Sequence, residues 1–135
     1  MANTLYDKGR EGFLDGSIDF DTDSIKVVLV DTSAYTANLS TDTFLSSITS
    51  GARIATSANL ASKTVTAGVA DAADITFTAV TGASVEAVVL YKDTGSAGTS
   101  RLIAYIDTAT GLPVTPNGGD ITIQWDSGSN RIFKL

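Results

Sequence analysis

The chain has no cysteine and no histidine. The first absence removes disulfides, thiolate zinc sites and cysteine nucleophiles. The second removes the commonest general base and another common zinc ligand. Chemistry would have to rest on carboxylates, lysine, tyrosine or hydroxyls. Glutamate is scarce, with Glu11 and Glu86 its only instances, and they fall in separate segments. Nine lysines and arginines are scattered through a chain of net charge -6, so the basic stripe of a nucleic-acid binder is missing. Apolar runs are far shorter than the roughly 20 residues that cross a bilayer. The opening MANTLYDKGRE carries charge where a signal peptide needs an apolar run, and the expectation is synthesis in a cytoplasm with no membrane partner.

What is present is one domain's worth of chain, 135 residues, with alternation of period two over most of its length. Residues 3–16, NTLYDKGREGFLDG, are the exception. Thr4 is placed as a cap, Gly16 as a C-terminal stop, and Leu5, Tyr6, Gly9, Phe13 and Leu14 recur at helical spacing. The spacing predicts a short amphipathic helix with one face on the domain, and Gly9 and Gly12 allow a neighbour to approach closely.

Strands are predicted at SIDF (17–20), SIKVVLVD (24–31), ARIATS (52–57), KTVTAGVA (63–70), DITFTAV (74–80), SVEAVVLYKD (84–93), SRLIAYID (100–107), DITIQWD (120–126) and NRIFKL (130–135). A second helix is predicted over STDTFLSSI, with Phe44, Leu45 and Ile48 on one face. KVVLV and EAVVLY are apolar at consecutive positions, as in central strands covered on both faces. Ile121, Ile123 and Trp125 alternate inward, as do Ile75, Phe77 and Ala79. The expectation is an all-β fold: a jelly-roll-like antiparallel β-sandwich over 17–135, with residues 1–16 as a helical segment packed on it.

IDFDTDS, with Asp19, Asp21 and Asp23 at alternate positions, raises the question of calcium. An EF-hand loop starting at Asp19 needs glycine sixth and glutamate twelfth, where this chain has Ser24 and Val30. A polar strand lip is the better reading. Asp31, Asp93, Asp107 and Asp126 each end a strand before a hydroxyl residue, which suits Asx turns and, if the ends share an edge, an acidic rim. Paired carboxylates for glycoside hydrolysis have no supporting aromatic cleft, and Trp125 reads as core. Lys63 and Lys92 lack a Schiff-base setting, and Tyr91 and Tyr105 sit in strands. TPNGGD (115–120) precedes a strand rather than the helix a phosphate loop needs, and DTGSAGTS (93–100) reads as a surface loop. No catalytic, cofactor or metal site emerges, and the expectation is a non-enzymatic protein.

MANTLYDKGREGFLDGSIDFD, KVVLVDT, ARIATS and the closing SRLIAYIDTATGLPVTPNGGDITIQWDSGSNRIFKL together resemble a family of small virion structural proteins of tailed bacteriophages. The best match of role is a capsid cement or decoration protein. That resemblance implies a place on the capsid surface of the virion, the phage major capsid protein as partner, and no cofactor. Multivalent bridging of capsid subunits is the implied mechanism. The contact regions expected are Tyr6, Lys8 and Arg10 in the first segment, the loop 32–39 with Tyr35, and the last strand Ile132, Phe133, Lys134 and Leu135. An edge there can pair with itself, making a homodimer the favoured oligomer, or with a partner's strand. The competing reading is that these segments only close the sandwich. Competing roles are a tail, adaptor or fibre-attachment component, or a carbohydrate-binding receptor module.

Overall fold

The computed structural model describes residues 4–135. Asn3, which the sequence includes in the helical segment, lies outside the described residues with Met1 and Ala2. The chain forms β1 (Thr4–Leu5), α1 (Asp7–Asp15), β2 (Ile25–Val30), β3 (Arg53–Thr56), β4 (Thr64–Thr66), β5 (Val69–Asp71), β6 (Ile75–Phe77), β7 (Ala87–Lys92), β8 (Leu102–Ile106), β9 (Ile121–Ile123) and β10 (Phe133–Lys134). All the sheets are antiparallel: β1-β8-β7-β2-β3, β10-β5-β4 and β6-β9. The fold of the described residues is therefore all-β with one short α-helix.

The consecutive apolar residues of β2 and β7 are buried on both faces, as their sequence requires. Val27, Leu29, Val88 and Leu90 join one core, shared with Ala70, Phe77 and Ile123 of the smaller sheets. Val28, Val30, Val89 and Tyr91 join a second core on the opposite face. That second face is covered not by the helix but by the long connection after β2, through Tyr35, Leu45, Ile48 and Ala52, with Tyr6 beside them.

Several expected boundaries shift for local reasons. Thr4 does not cap the helix: it pairs with Tyr105, and the helix starts after an extended Tyr6 that makes no side-chain cap bond. Gly16 does end the helix, in the left-handed conformation. The helix seats on its glycines, since a Cβ at Gly9 would stand 2.8 Å from the Ile103 carbonyl oxygen. STDTFLSSI yields only a single 3-10 turn, Leu45–Ser47, because its chain is drawn into bonds with the 97–102 segment: Leu45 N to Ser100 O at 2.8 Å and Ser46 N to Ala97 O at 3.0 Å. SIDF is irregular rather than a strand, and only Phe20 enters the turn that follows. KTVTAGVA is two strands, β4 and β5, folded back at Ala67 and Gly68. Ala79 takes a positive φ of 51° and is exposed, which turns Val80 inward in its place.

Candidate interaction groove

Of the aspartates that suggested a cation, Asp23 is occupied with the fold, while Asp19 and Asp21 are exposed. Asp23 Oδ2 accepts from Asp19 N at 2.8 Å and lies 3.2 Å from Lys92 Nζ, while Lys63 Nζ donates to the Asp23 carbonyl. The stretch is a lysine-clamped turn. Among the described residues no group of three potential ligands is placed to hold a metal ion. Asx turns form at Asp31, Asp93 and Asp126, with donors Ser33, Gly95 and Gly128 at 2.9, 3.1 and 3.1 Å. A shared acidic rim does not form. Because β7 runs antiparallel to β2 and β8, Asp31 and Asp107 leave at one end and Asp93 at the other. Asp93 is 3.0 Å from Lys26, and that bond holds its carboxyl below the usual range. Glu86 is likewise spent, accepting from Thr32 N at 2.9 Å and Ser84 Oγ at 2.5 Å.

The residues expected at contacts divide into two groups. Tyr6 and Tyr35 are core: Tyr6 is fully buried, Tyr35 nearly so, and their hydroxyls are 2.9 Å apart. Tyr35 Oη donates to Asp42 Oδ2 at 2.6 Å. The sequence placed Tyr35 on an exposed loop, but its polar tip finds two partners inside the second core, which makes burial affordable. Lys8 is partly exposed, with its ammonium 2.9 Å from Glu11. Its carbonyl accepts from Arg101 at 2.8 Å, so this part of α1 anchors to β8.

Arg10 and the last strand come together. A cleft of about 350 Å³ opens between β1 and β10, its walls including Leu5, Arg10, Arg131, Ile132, Phe133 and Lys134. Leu5, Arg10 and Lys134 also border a neighbouring hollow of about 430 Å³ that adds Phe13, Leu14 and Leu135. A third, of about 320 Å³, shares Phe13, Phe133 and Leu135 and reaches Phe20 and Val65. Together they make one groove along the junction of α1, β1, β10 and the β4–β5 hairpin.

Ile132 is buried and forms part of the first core, whereas Phe133 is half-buried and Lys134 and Leu135 are exposed. Phe133 sits 5.8 Å from Phe13 and 5.6 Å from Phe20, the latter edge-on. The exposed large apolar side chains among the described residues are Leu14, Val65 and Leu135, at 88%, 52% and 59% of full exposure, and all three line this groove. Exposed apolar side chains grouped along one groove make it the candidate contact surface among the described residues. Sequence reasoning placed Leu14 with the apolar face that packs on the domain, whereas it stands in solvent, and it did not single out Val65 as a contact. The available signal was the glycine pair: Leu14 lies two residues past buried Gly12, roughly 200° around the helix, so it had to face outward.

No helix among the described residues is long and apolar enough to cross a membrane. No protein-family model matches the chain, and no curated protein matches it in sequence.

Proposed function

We propose that this protein is a non-enzymatic structural component of a tailed-phage virion, a capsid cement or decoration protein that bridges and stabilises neighbouring major-capsid subunits. The observation that carries the reading is the convergence of the two terminal segments on one groove, where Leu14, Val65 and Leu135 stand in solvent beside Phe13 and Phe133. The sequence likeness of those end runs to small virion proteins supplies the biological setting. A jelly-roll arrangement belongs to the same proposal, supported by a five-stranded sheet facing smaller antiparallel sheets across a shared core. Its carboxylates serve turns and ion pairs, as Asp23, Asp93 and Glu86 do, consistent with a binding role. Weak contacts made to two subunits at once gain strength through effective concentration.

Cross-linking of the purified virion through lysines, read by mass spectrometry, tests this directly. Lys8 and Lys134 are expected to link to the major capsid protein. Links confined to tail proteins would overturn the cement reading in favour of an adaptor or fibre-docking role.

A further inference from the structure

The groove is bordered by two strand edges that no described strand completes: β1 ends the five-stranded sheet and β10 ends the three-stranded one. Tyr6 N donates to Ile103 O and Leu135 N donates to Gly68 O, each at 2.9 Å. Antiparallel ladders alternate inward and outward bonding, so the peptide groups of Leu5 and Lys134 turn away from β8 and β5 toward the free edges. Both residues line the groove. The Leu5 carbonyl is met there by the Arg10 guanidinium at 3.3 Å.

The groove is basic at its β1–β10 cleft and acidic at its far end, where Asp19 and Asp21 line the third hollow. In a chain of net charge -6, Arg10, Arg131 and Lys134 line the cleft against one carboxylate, Asp126. Arg10 and Arg131 are about half exposed, at 47% and 46%, although Arg10 lies 3.0 Å from Asp7 and Arg131 lies 3.9 Å from Asp71. Lys134 has no ion-pair partner among the described residues. The outward Leu5 N–H and the outward Lys134 peptide groups, a basic lining and an apolar end are the features of a strand-addition site for an acidic peptide.

We propose that an extended, acidic segment of a partner polypeptide docks in this groove as an added strand between β1 and β10. Its carboxylates meet Arg10, Arg131 and Lys134, and one apolar side chain rests against Phe13, Leu14 and Leu135. The inference builds on the assembly role above and specifies the chemistry of the partner's contact. A second copy of this chain fits less well. Two bodies of net charge -6 repel each other, and the chain's own acidic stretch 19–23 is closed into a turn by Lys92 and Lys63.

The test is selection of a random-peptide display library against the purified full-length chain, with the double variants R10E/K134E and R131E/K134E as parallel baits. The expected winners carry acidic residues at alternate positions around an apolar one and bind about tenfold or more weaker to either double variant. Their affinity falls with added salt. In amide NMR spectra of the complex, Leu5 and Lys134 shift most. The second double variant leaves the Arg10 bond to Leu5 intact, so loss of binding there is not a folding defect of α1. Failure to enrich any peptide, enrichment without acidic bias, undiminished binding to both variants, or shifts centred elsewhere would each overturn the proposal. The selection uses no virion, so its outcome is independent of the cross-linking result: a chain that links to capsid protein but selects no acidic peptide keeps its role and loses this site.

Discussion

At the scale of single residues, the Tyr6–Tyr35–Asp42 chain of hydrogen bonds ties the start of the protein to the long connection after β2. Burial, reinforced by the bond to Asp42, pushes the Tyr35 phenol far above its ordinary value of 10.0. Burial pushes Tyr6 up as well, against a smaller lowering by its bond to Tyr35. A raised pKa means that the folded state holds the proton more tightly than the unfolded one. The stabilisation is whole below the unfolded value of about 10 and is lost as pH rises beyond it, where unfolded tyrosines ionise and these do not. Urea denaturation is expected to show stability falling steeply above about pH 10, and Tyr35→Phe is expected to make that fall shallower. At neutral pH the same substitution should cost about 1–3 kcal/mol, because the buried Tyr6 hydroxyl and Asp42 lose a partner. Unchanged denaturation midpoints at both pH values would show that the network carries no stability. None of this was legible in the sequence, where Tyr35 sits among Thr, Ala and Asn in a segment with loop composition. Its burial is decided by Asp42, seven residues on, and by Tyr6, 29 residues earlier in the chain.

At the scale of elements, continuous apolar runs identified the long strands β2, β7 and β8 because they face cores on both sides, and alternation of period two identified β6 and β9. It failed where a backbone reversal preserved the alternation. KTVTAGVA reads as one strand since Val65 and Val69 keep the apolar rhythm, but Thr66 pairs with Val69 around a two-residue turn. Ala67 and Gly68 both have positive φ, 52° and 78°, the signature of a type I′ turn. Alanine is a poor occupant of that position and hides the turn from inspection. Ala67→Asn is therefore expected to stabilise the protein by about 0.5–1 kcal/mol, seen as a higher melting temperature, since asparagine tolerates the left-handed region better. A lower melting temperature would mean that the hairpin needs the small side chain for another reason. The groove was half legible on the same terms. Arg10 and the strand from Ile132 to Leu135 stood out as polar or terminal edges. Their meeting depends on β1 reaching Tyr105 and β10 reaching Ala70, pairings too distant in sequence for any local pattern to report.

At the scale of the whole molecule, the first segment is a shared beam rather than an appendage. Adjacent residues of a strand point to opposite faces, so Leu5 enters the first core and Tyr6 the second. β1 also extends the main sheet beyond β8, and Gly9 lets α1 lie directly on the Ile103 backbone. Burying Leu5 and Tyr6 contributes roughly 2–3 kcal/mol each, and each hydrogen bond to Ile103 and Tyr35 adds about 1. That total, about 6–8 kcal/mol, is comparable with the entire stability of an ordinary domain. Deletion of residues 1–15 is accordingly expected to abolish cooperative unfolding, with Trp125 fluorescence in urea changing gradually instead of through a sharp transition. The deletion would also uncover the β8 edge and the apolar faces of Ala104 and Ile106, so the truncated chain should associate with itself. A truncated chain that melts cooperatively near the full-length midpoint would show that residues 16–135 hold both cores unaided. The first segment would then be free to act as a contact arm, and the groove would have to form only after that arm docks.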